Sequence, residues 1–150
     1  MDHSMYAAEL FLGGCNCAQA IVVAVADVTG LDRDFSARMS SSFGGGMGRL
    51  REVCGAVSGM LMVAGLLYGY DDPGEKDCNK KAHYALVQEL AGKFREEAGS
   101  IVCREILKNP PSDPNPTPRT AEFYKVRPCA RMVMTAAKIL DAYIAEHPVA

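Results

Sequence analysis

The stretch FGGGMGRLREVCGAVSGMLMVAGLLYG, residues 43–69, decides how this chain folds. It has glycines at positions 44, 45, 46 and 48, then a short charged segment, then a run headed by Cys54 that contains no charged residue. Glycine-rich turns beside uncharged helices occur in phosphate-binding loops, next to membrane spans and where a helix carries a reactive thiol at its start. These are the three interpretations to compare.

A phosphate-binding loop is disfavoured by the residues that follow the glycines. A P-loop ends in Gly-Lys followed by Ser or Thr, and a dinucleotide fingerprint has a third glycine where this chain has Arg49. No stretch with the periodicity of a strand precedes the glycines. We therefore do not expect nucleotide binding.

A membrane span is the second interpretation, because residues 53–70 form 18 uncharged positions with small-residue spacing at Gly55/Gly59 and Gly65/Gly69. The segment is short for a span, and it contains Ser58 and two tyrosines. An apolar helix with glycines is also typical of the central helix of a soluble bundle, where missing side chains let backbones approach. We expect this buried helix and no membrane span.

Length and composition limit the functional classes. A chain of 150 residues is predicted to form a single domain, 1–150. The net charge of −2 gives no basic surface for nucleic acid, and the N-terminus lacks the features of a signal peptide. We therefore expect a cytoplasmic protein, in which six cysteines are free thiols, metal ligands or catalytic groups rather than structural disulfides.

Helical periodicity covers nearly the whole chain, and strand signals are scarce. We predict an all-α fold, a single-domain helical bundle of about six to seven helices. The predicted helices cover about residues 2–12, 16–30, 32–41, 53–70, 72–99, 100–107 and 128 onward, with one more helical turn at 121–125. The prolines of residues 109–118 predict an extended surface connection.

The fifth predicted helix has the clearest start signal. Asp72 is a predicted N-cap, Pro73 occupies the first helical position and Glu75 the third. The buried stripe of this helix is predicted to consist of Ala82, Leu86, Leu90 and Phe94.

Four cysteines share one kind of position in this pattern. Each lies in the first turn of a predicted helix and on its apolar stripe: Cys17, Cys54, Cys103 and Cys129. A helix start offers unpaired N–H groups and a partial positive charge, which lower the pKa of a thiol. A return segment separates each consecutive pair, so the four helix starts can meet at one pole. The alternative interpretation is that these cysteines are small hydrophobic residues of the core.

The order of these motifs resembles a family named for its Cys, Cys-Gly-Ala-x-x-Gly, Cys, Cys pattern and described as redox-active. The resemblance spans about residues 9–140 and rests on NCAQA at 16–20, on CGAVSG at 54–59 after FGGGMG, and on the later cysteines in SIVCREIL and VRPCARMV. It implies that Cys17, Cys54, Cys103 and Cys129 form the functional set. Cys15 and Cys78 lie outside the pattern, although Cys15 could serve as a resolving thiol or extra ligand.

The chain also resembles the domain of split-Soret cytochromes c, which are helical dimers that carry haem. This resemblance implies a homodimer, and the apolar, glycine-bearing helix is compatible with one. Covalent haem is not expected, because the sequence contains no Cys-x-x-Cys-His.

Three hypotheses for function remain open. In the first, the four cysteines hold an iron–sulfur cluster or zinc as metal ligands. In the second, they carry out metal-free thiol–disulfide exchange as catalytic residues, which would make the protein an oxidoreductase or an electron-transfer protein with an unidentified partner. In the third, the chain is a structural dimer with inert buried cysteines. Cys78, at the start of the returning fifth helix, is expected to stand apart from the other four.

The remaining charged residues are interpreted as surface groups. Arg49, Arg51 and Arg104 are expected to be solvated, although Arg104 and Arg127 lie close in sequence to a cysteine and could balance an anionic cluster. His3 and His147 lie near the chain ends and are expected to be mobile.

Overall fold

The computed structural model describes residues 2–71 and 79–149. In chain order its helices are α1 (Ser4–Leu12), α2 (Cys17–Ala24), α3 (Ala26–Thr29), α4 (Arg33–Ser40), α5 (Gly44–Met47), α6 (Gly55–Tyr68), α7 (Lys80–Ala98), α8 (Cys103–Ile106), α9 (Ala121–Val126) and α10 (Cys129–Glu146). A 3-10 turn, Ser41–Phe43, connects α4 to α5.

The predicted all-α fold is confirmed. Within the described residues, the β-structure consists of one isolated antiparallel bridge between Val53 and Val102. The helices with eight or more residues are α1, α2, α4, α6, α7 and α10. The predicted start of the fifth helix at residues 72–75 lies outside the described residues.

The start of α2 is fixed by a capping box. Asn16 Oδ1 accepts a hydrogen bond from the peptide N–H of Gln19 (2.9 Å), and Gln19 Oε1 accepts one from the N–H of Asn16 (3.0 Å). The prediction of one continuous helix over 16–30 is wrong, because the helix is interrupted at Val25 (φ −99°, ψ 18°) and resumes as α3. Several β-branched residues precede the break, and such residues are weak helix formers.

Helices α2 and α6 approach each other closely at two glycines of α6. A Cβ atom at Gly59 would lie 2.8 Å from the carbonyl oxygen of Ala18 and 3.0 Å from Ile21 Cβ. A Cβ atom at Gly55 would lie 3.1 Å from the peptide nitrogen of Ala18. The small-residue spacing at these two positions therefore serves packing within the chain.

Helix α6 is buried mainly on one side. Val57, Met60 and Val63 are almost fully buried, together with large side chains from α1, α2, α7 and α10. Leu66, in contrast, is 52% exposed, so the predicted buried helix leaves part of its last turn in contact with solvent. Among the described residues, no helix combines the length and apolar character needed to cross a membrane.

Helix α7 covers the core from Leu86 onward. Leu86, Leu90 and Phe94 are buried as predicted. Ala82 is exposed, and its place in the predicted stripe is therefore wrong. The reason is that the buried side of the helix begins one turn later, at Leu86.

The N-terminal segment is held in place by a buried histidine, and the expectation that His3 is mobile is wrong. His3 is 5% exposed and lies between two carboxylates. Its Nδ1 is 2.6 Å from Asp141 Oδ1 on α10, and its Nε2 is 2.8 Å from Asp27 Oδ1 on α3. Burial lowers the pKa of His3, but the hydrogen bonds to Asp141 and Asp27 raise it by more, so the net shift is upward.

Replacing Gly59 by alanine is predicted to destabilise the fold. The new methyl group would meet the Ala18 carbonyl, which belongs to backbone that cannot give way easily. We expect a loss of about 1–3 kcal/mol in the free energy of unfolding, measured by urea denaturation. Gly65→Ala is the matched control on the same helix, since a Cβ there meets nothing within 4 Å. Equal stability of the two variants would contradict the close contact.

The His3 contacts predict a pH-dependent stability. Because the folded-state pKa of His3 is raised above 6.5, the stabilisation is complete below that value and is lost as pH rises through the folded-state pKa. His3→Gln should lower the unfolding free energy by roughly 1.5–3 kcal/mol at pH 6. The difference from the wild type should shrink as pH rises. A difference that stays constant across this range would show that the histidine is not charged in the folded protein.

Candidate functional site

A partly open cavity of about 250 Å³ lies where several helices begin. Its lining includes all four cysteines of the sequence pattern: Cys17, Cys54, Cys103 and Cys129. None of the four is in a disulfide. The structure therefore brings these thiols to one site, while their roles as ligands or redox groups stay predictions.

Each of these cysteines stands at the very start of its helix. Cys17 follows the N-cap Asn16, and Cys129 follows Pro128. Cys103 begins the short helix α8, and Cys54 is itself the N-cap of α6. The positions inferred from the sequence are thus correct to within one residue.

Cys54 and Cys103 are brought together by the isolated β-bridge. The peptide N–H of Cys54 donates to the carbonyl of Ile101 (2.7 Å), and the N–H of Cys103 donates to the carbonyl of Glu52 (2.6 Å). These two bonds flank the Val53–Val102 pair. A single bridge of this kind has no alternating sequence signal, so the sequence could not predict it.

The glycines before α6 let the chain pass close to the thiols. Gly45 and Gly46 have φ values of 65° and 71°, a left-handed conformation that glycine adopts without strain. A Cβ atom at Gly46 would lie 2.7 Å from Cys103 Cβ and 2.7 Å from the peptide nitrogen of Glu52. The glycine-rich stretch is therefore a close-packed turn beside the site.

Cys17 and Cys129 are neighbouring cavity thiols whose pKa values depend on each other. The interaction with the Cys17 thiol lowers the pKa of Cys129 to about 7, and the interaction with Cys129 raises the pKa of Cys17. Burial acts against this shift at Cys129, but the guanidinium groups of Arg127, Arg119 and Arg51 favour its thiolate. Of the two thiols, Cys129 is therefore the one whose thiolate is favoured near neutral pH.

The other two thiols stay protonated. Burial raises the pKa of Cys54 to about 12, although the N–H groups of Ala56 and Val57 act in the opposite direction. Burial also raises the pKa of Cys103, against the hydrogen bond from Arg51. The expectation that a helix start lowers the pKa of all four thiols is therefore wrong for three of them. At Cys54 and Cys103 the main cause is the desolvation of the thiolate, and at Cys17 it is the interaction with Cys129, followed by desolvation.

Arg51 is the most deeply buried charge at the cavity. It is only 4% exposed, so its interpretation as a solvated surface group is wrong. Its Nε donates to the carbonyl of Pro111 (2.9 Å), and its Nη1 donates to Cys103 Sγ (3.6 Å). Its backbone φ of 62° is a conformation that costs free energy for a side-chain-bearing residue and is often found at functional sites.

The proline segment and three more arginines complete the cavity wall. Arg49 donates to the carbonyl of Asp113 (2.8 Å) and to Thr117 Oγ1 (2.7 Å). Arg119 lies over the Phe11 ring at 4.4 Å and donates to the carbonyl of Phe11 (2.9 Å). Arg127 also lines the cavity. The sequence analysis interpreted Arg49 and Arg51 as solvated groups and did not single out Arg119, since nothing in their neighbourhood distinguishes them from surface arginines. The side chain of Arg49 is only 15% exposed, so that interpretation is wrong for it as well.

The remaining sequence candidates lie elsewhere. Arg104 pairs with Glu52 (2.6 Å) and does not line the cavity, whereas Arg127 does. Cys15 is half-buried and is absent from the cavity lining, although its carbonyl accepts a bond from Arg119 (3.2 Å). Cys78 lies outside the described residues, so its predicted separation stays a prediction.

The thiols do not form a ready-made metal site. Among residues 2–71 and 79–149, no group of three or more His, Cys, Asp and Glu side chains has an arrangement that could hold a metal ion. Thiolate ligands need to lie about 2.3 Å from a common metal.

Comparison with known proteins places this arrangement in a family. Neither the curated proteins nor the solved structures include a significant match to the chain, so the relation to split-Soret cytochromes c stays a prediction. The family described as "Putative redox-active protein (C_GCAxxG_C_C)" matches residues 15–143, a span that contains all four cysteines at the cavity. The chain belongs to this family.

Proposed function

We propose that the protein is a thiol–disulfide oxidoreductase in which Cys129 is the attacking thiol and Cys17 the resolving thiol. The observation that carries the proposal is that Cys17 and Cys129, each at the start of its helix, line one partly open cavity together with three arginines that lower the pKa of Cys129. Thiol–disulfide exchange requires a thiolate that is populated near neutral pH and a second thiol within reach of the first.

The first step is nucleophilic attack. The Cys129 thiolate attacks one sulfur of a substrate disulfide, a bond forms between the two sulfurs, and the S–S bond of the substrate breaks. The leaving thiolate takes a proton from solvent through the open side of the cavity. The product is a mixed disulfide between Cys129 and one half of the substrate.

The second step resolves this intermediate. Cys17 loses its proton, attacks Cys129 Sγ, and displaces the second half of the substrate as a thiolate that is then protonated. Two electrons have passed from the protein to the substrate, which becomes two thiols, while the protein gains a Cys17–Cys129 disulfide. The same steps in reverse, with a dithiol as the reductant, restore the reduced protein.

Cys54 and Cys103 have a supporting role in this proposal. Their thiols stay neutral because of burial, so they place no negative charge beside the Cys129 thiolate. Neutral sulfur also lines the cavity without competing for the substrate, since a thiol is a far weaker nucleophile than a thiolate.

A metal centre held by the same four cysteines remains the second proposal, supported by their shared cavity. An iron–sulfur cluster or zinc there would require the thiols to move closer and to lose their protons. Metal analysis of anaerobically purified protein tests it. The homodimer also stays a prediction, and Gly55 and Gly59 do not support it because they pack against α2.

Cys129 is predicted to be the most reactive thiol of the cavity. At pH 7, iodoacetamide should modify Cys129 at least about tenfold faster than Cys54, because the pKa of Cys129 is lowered and that of Cys54 is raised. Peptide mass spectrometry of partially labelled protein measures this ratio. Cys54→Ser is the matched control and should leave the rate at Cys129 nearly unchanged. Comparable labelling of Cys54 and Cys129 would contradict the proposed nucleophile.

Removing the resolving thiol is predicted to trap the intermediate. After treatment with a disulfide reagent, Cys17→Ser should accumulate a mixed disulfide on Cys129, whereas the wild type should proceed to the Cys17–Cys129 bond. Cys129→Ser should form neither product. Intact and peptide mass spectra distinguish these states. A wild-type disulfide that joins other cysteines, such as Cys15 and Cys17, would overturn the assignment of Cys129.

A further inference from the structure

One guanidinium nitrogen at the cavity lacks a partner. Arg51 donates through Nε and Nη1, but its Nη2 is buried and has no hydrogen-bond partner among the described residues. Arg51 is only 4% exposed, and it lines the cavity. A buried charged donor left without an acceptor is costly, and such groups mark a place where a ligand completes the hydrogen bonding.

The cavity wall also carries more positive than negative charge. Four arginines line it, Arg49, Arg51, Arg119 and Arg127, and no Asp or Glu of the described residues does. Within the described part of the chain, the nearest carboxylate to any of these guanidinium groups is that of Asp113, 3.8 Å from Arg49. Arg51, Arg119 and Arg127 have no carboxylate of the described residues within 4 Å, so positive charge exceeds negative charge even when Cys129 is a thiolate.

Backbone carbonyls anchor three of the arginines, and of these only Arg49 also has a carboxylate of the described residues within 4 Å, that of Asp113. Arg51 bonds to the carbonyl of Pro111, Arg49 to that of Asp113, and Arg119 to that of Phe11. The backbone at Gly45 packs closely against two of them, since a Cβ there would lie 2.9 Å from Arg49 Cγ and 3.6 Å from Arg51 Nη1. The cavity of about 250 Å³ that these arginines line supplies the space. Charge and space for an anion are thus both present.

We infer that the cavity binds a small carboxylate-bearing disulfide, with a carboxylate accepting a hydrogen bond from Arg51 Nη2. Carboxylate is the anion that matches a planar guanidinium best, and a cavity of about 250 Å³ admits a small molecule rather than a folded polypeptide. The disulfide part of the inference rests on the proposed function. The anion part rests on the charge and the unpartnered nitrogen alone.

Two disulfide probes of different charge test the inference. The first is 5,5′-dithiobis(2-nitrobenzoate), which carries a carboxylate on each half, and the second is 4,4′-dithiodipyridine, which is neutral near pH 7. The rate at Cys129 is measured with each probe, by released thiol and by peptide mass spectrometry. In Arg51→Gln, the rate with the anionic probe divided by the rate with the neutral probe should fall by roughly tenfold to a hundredfold. This factor corresponds to the loss of one charge-assisted hydrogen bond.

The ratio isolates binding from reactivity. Arg51 also favours the Cys129 thiolate, so removing its charge makes Cys129 less reactive. This loss of reactivity slows both probes by the same factor, and that factor cancels in the ratio of the two rates. Arg104→Gln is the matched control, because it removes the same charge beside Cys103 but outside the cavity, and its ratio should equal that of the wild type. If Arg51→Gln does not fold by circular dichroism, Arg127→Gln provides the second variant and should lower the ratio in the same direction.

The outcomes separate the two proposals. An unchanged ratio in folded Arg51→Gln, with Cys129 still the reactive thiol, would overturn the anion site and leave the oxidoreductase proposal standing. If neither probe selects Cys129, the oxidoreductase proposal fails, and the anion site is judged by calorimetry with 3,3′-thiodipropionate, an unreactive dicarboxylate. Binding to the wild type and its loss in Arg51→Gln would support the anion site, and absence of binding to the wild type would overturn it.

Discussion

The contact between α2 and α6 is the constraint on which the rest of the site depends. Because Gly55 has no side chain, the start of α6 can lie against the start of α2, where a Cβ at Gly55 would be 3.1 Å from Cys17 Cβ. The same missing atom leaves room for the carbonyl of Phe43, at 2.8 Å. A residue of any other type at this position would push apart the two helix starts that carry Cys17 and Cys54.

Four residues of one type acquire different chemistry from their surroundings. All four thiols stand at helix starts, yet the direction of the pKa shift follows burial and neighbouring charge rather than the helix. Cys54 is deeply buried, and its pKa is raised to about 12. The interaction with the Cys17 thiol and the charges of three guanidinium groups lower the pKa of Cys129. Partial charges at a helix start are small compared with the desolvation of a thiolate, so a full charge or a direct donor decides the outcome.

The sequence predicted the elements of this fold better than the surroundings of its site. Helical periodicity and caps are local, and so the all-α fold and the four helix starts could be inferred from the chain alone. The capping box at Asn16 and Gln19 is a signal of this kind. The burial of Arg51 could not be inferred, because it depends on the carbonyl of Pro111, 60 residues away. His3 was misjudged for the same reason, since Asp141 lies 138 residues along the chain.

The anchoring of the arginines explains how the cavity keeps its charge. A carboxylate at the place of the Pro111 carbonyl would hold Arg51 equally well, but it would cancel the charge that favours the Cys129 thiolate. A carbonyl dipole fixes the direction of the guanidinium and leaves its net charge in place. A proline segment is suited to this, because its prolines lack N–H groups while their carbonyls are free to accept. The extended segment of residues 109–118 is therefore part of the electrostatics of the site.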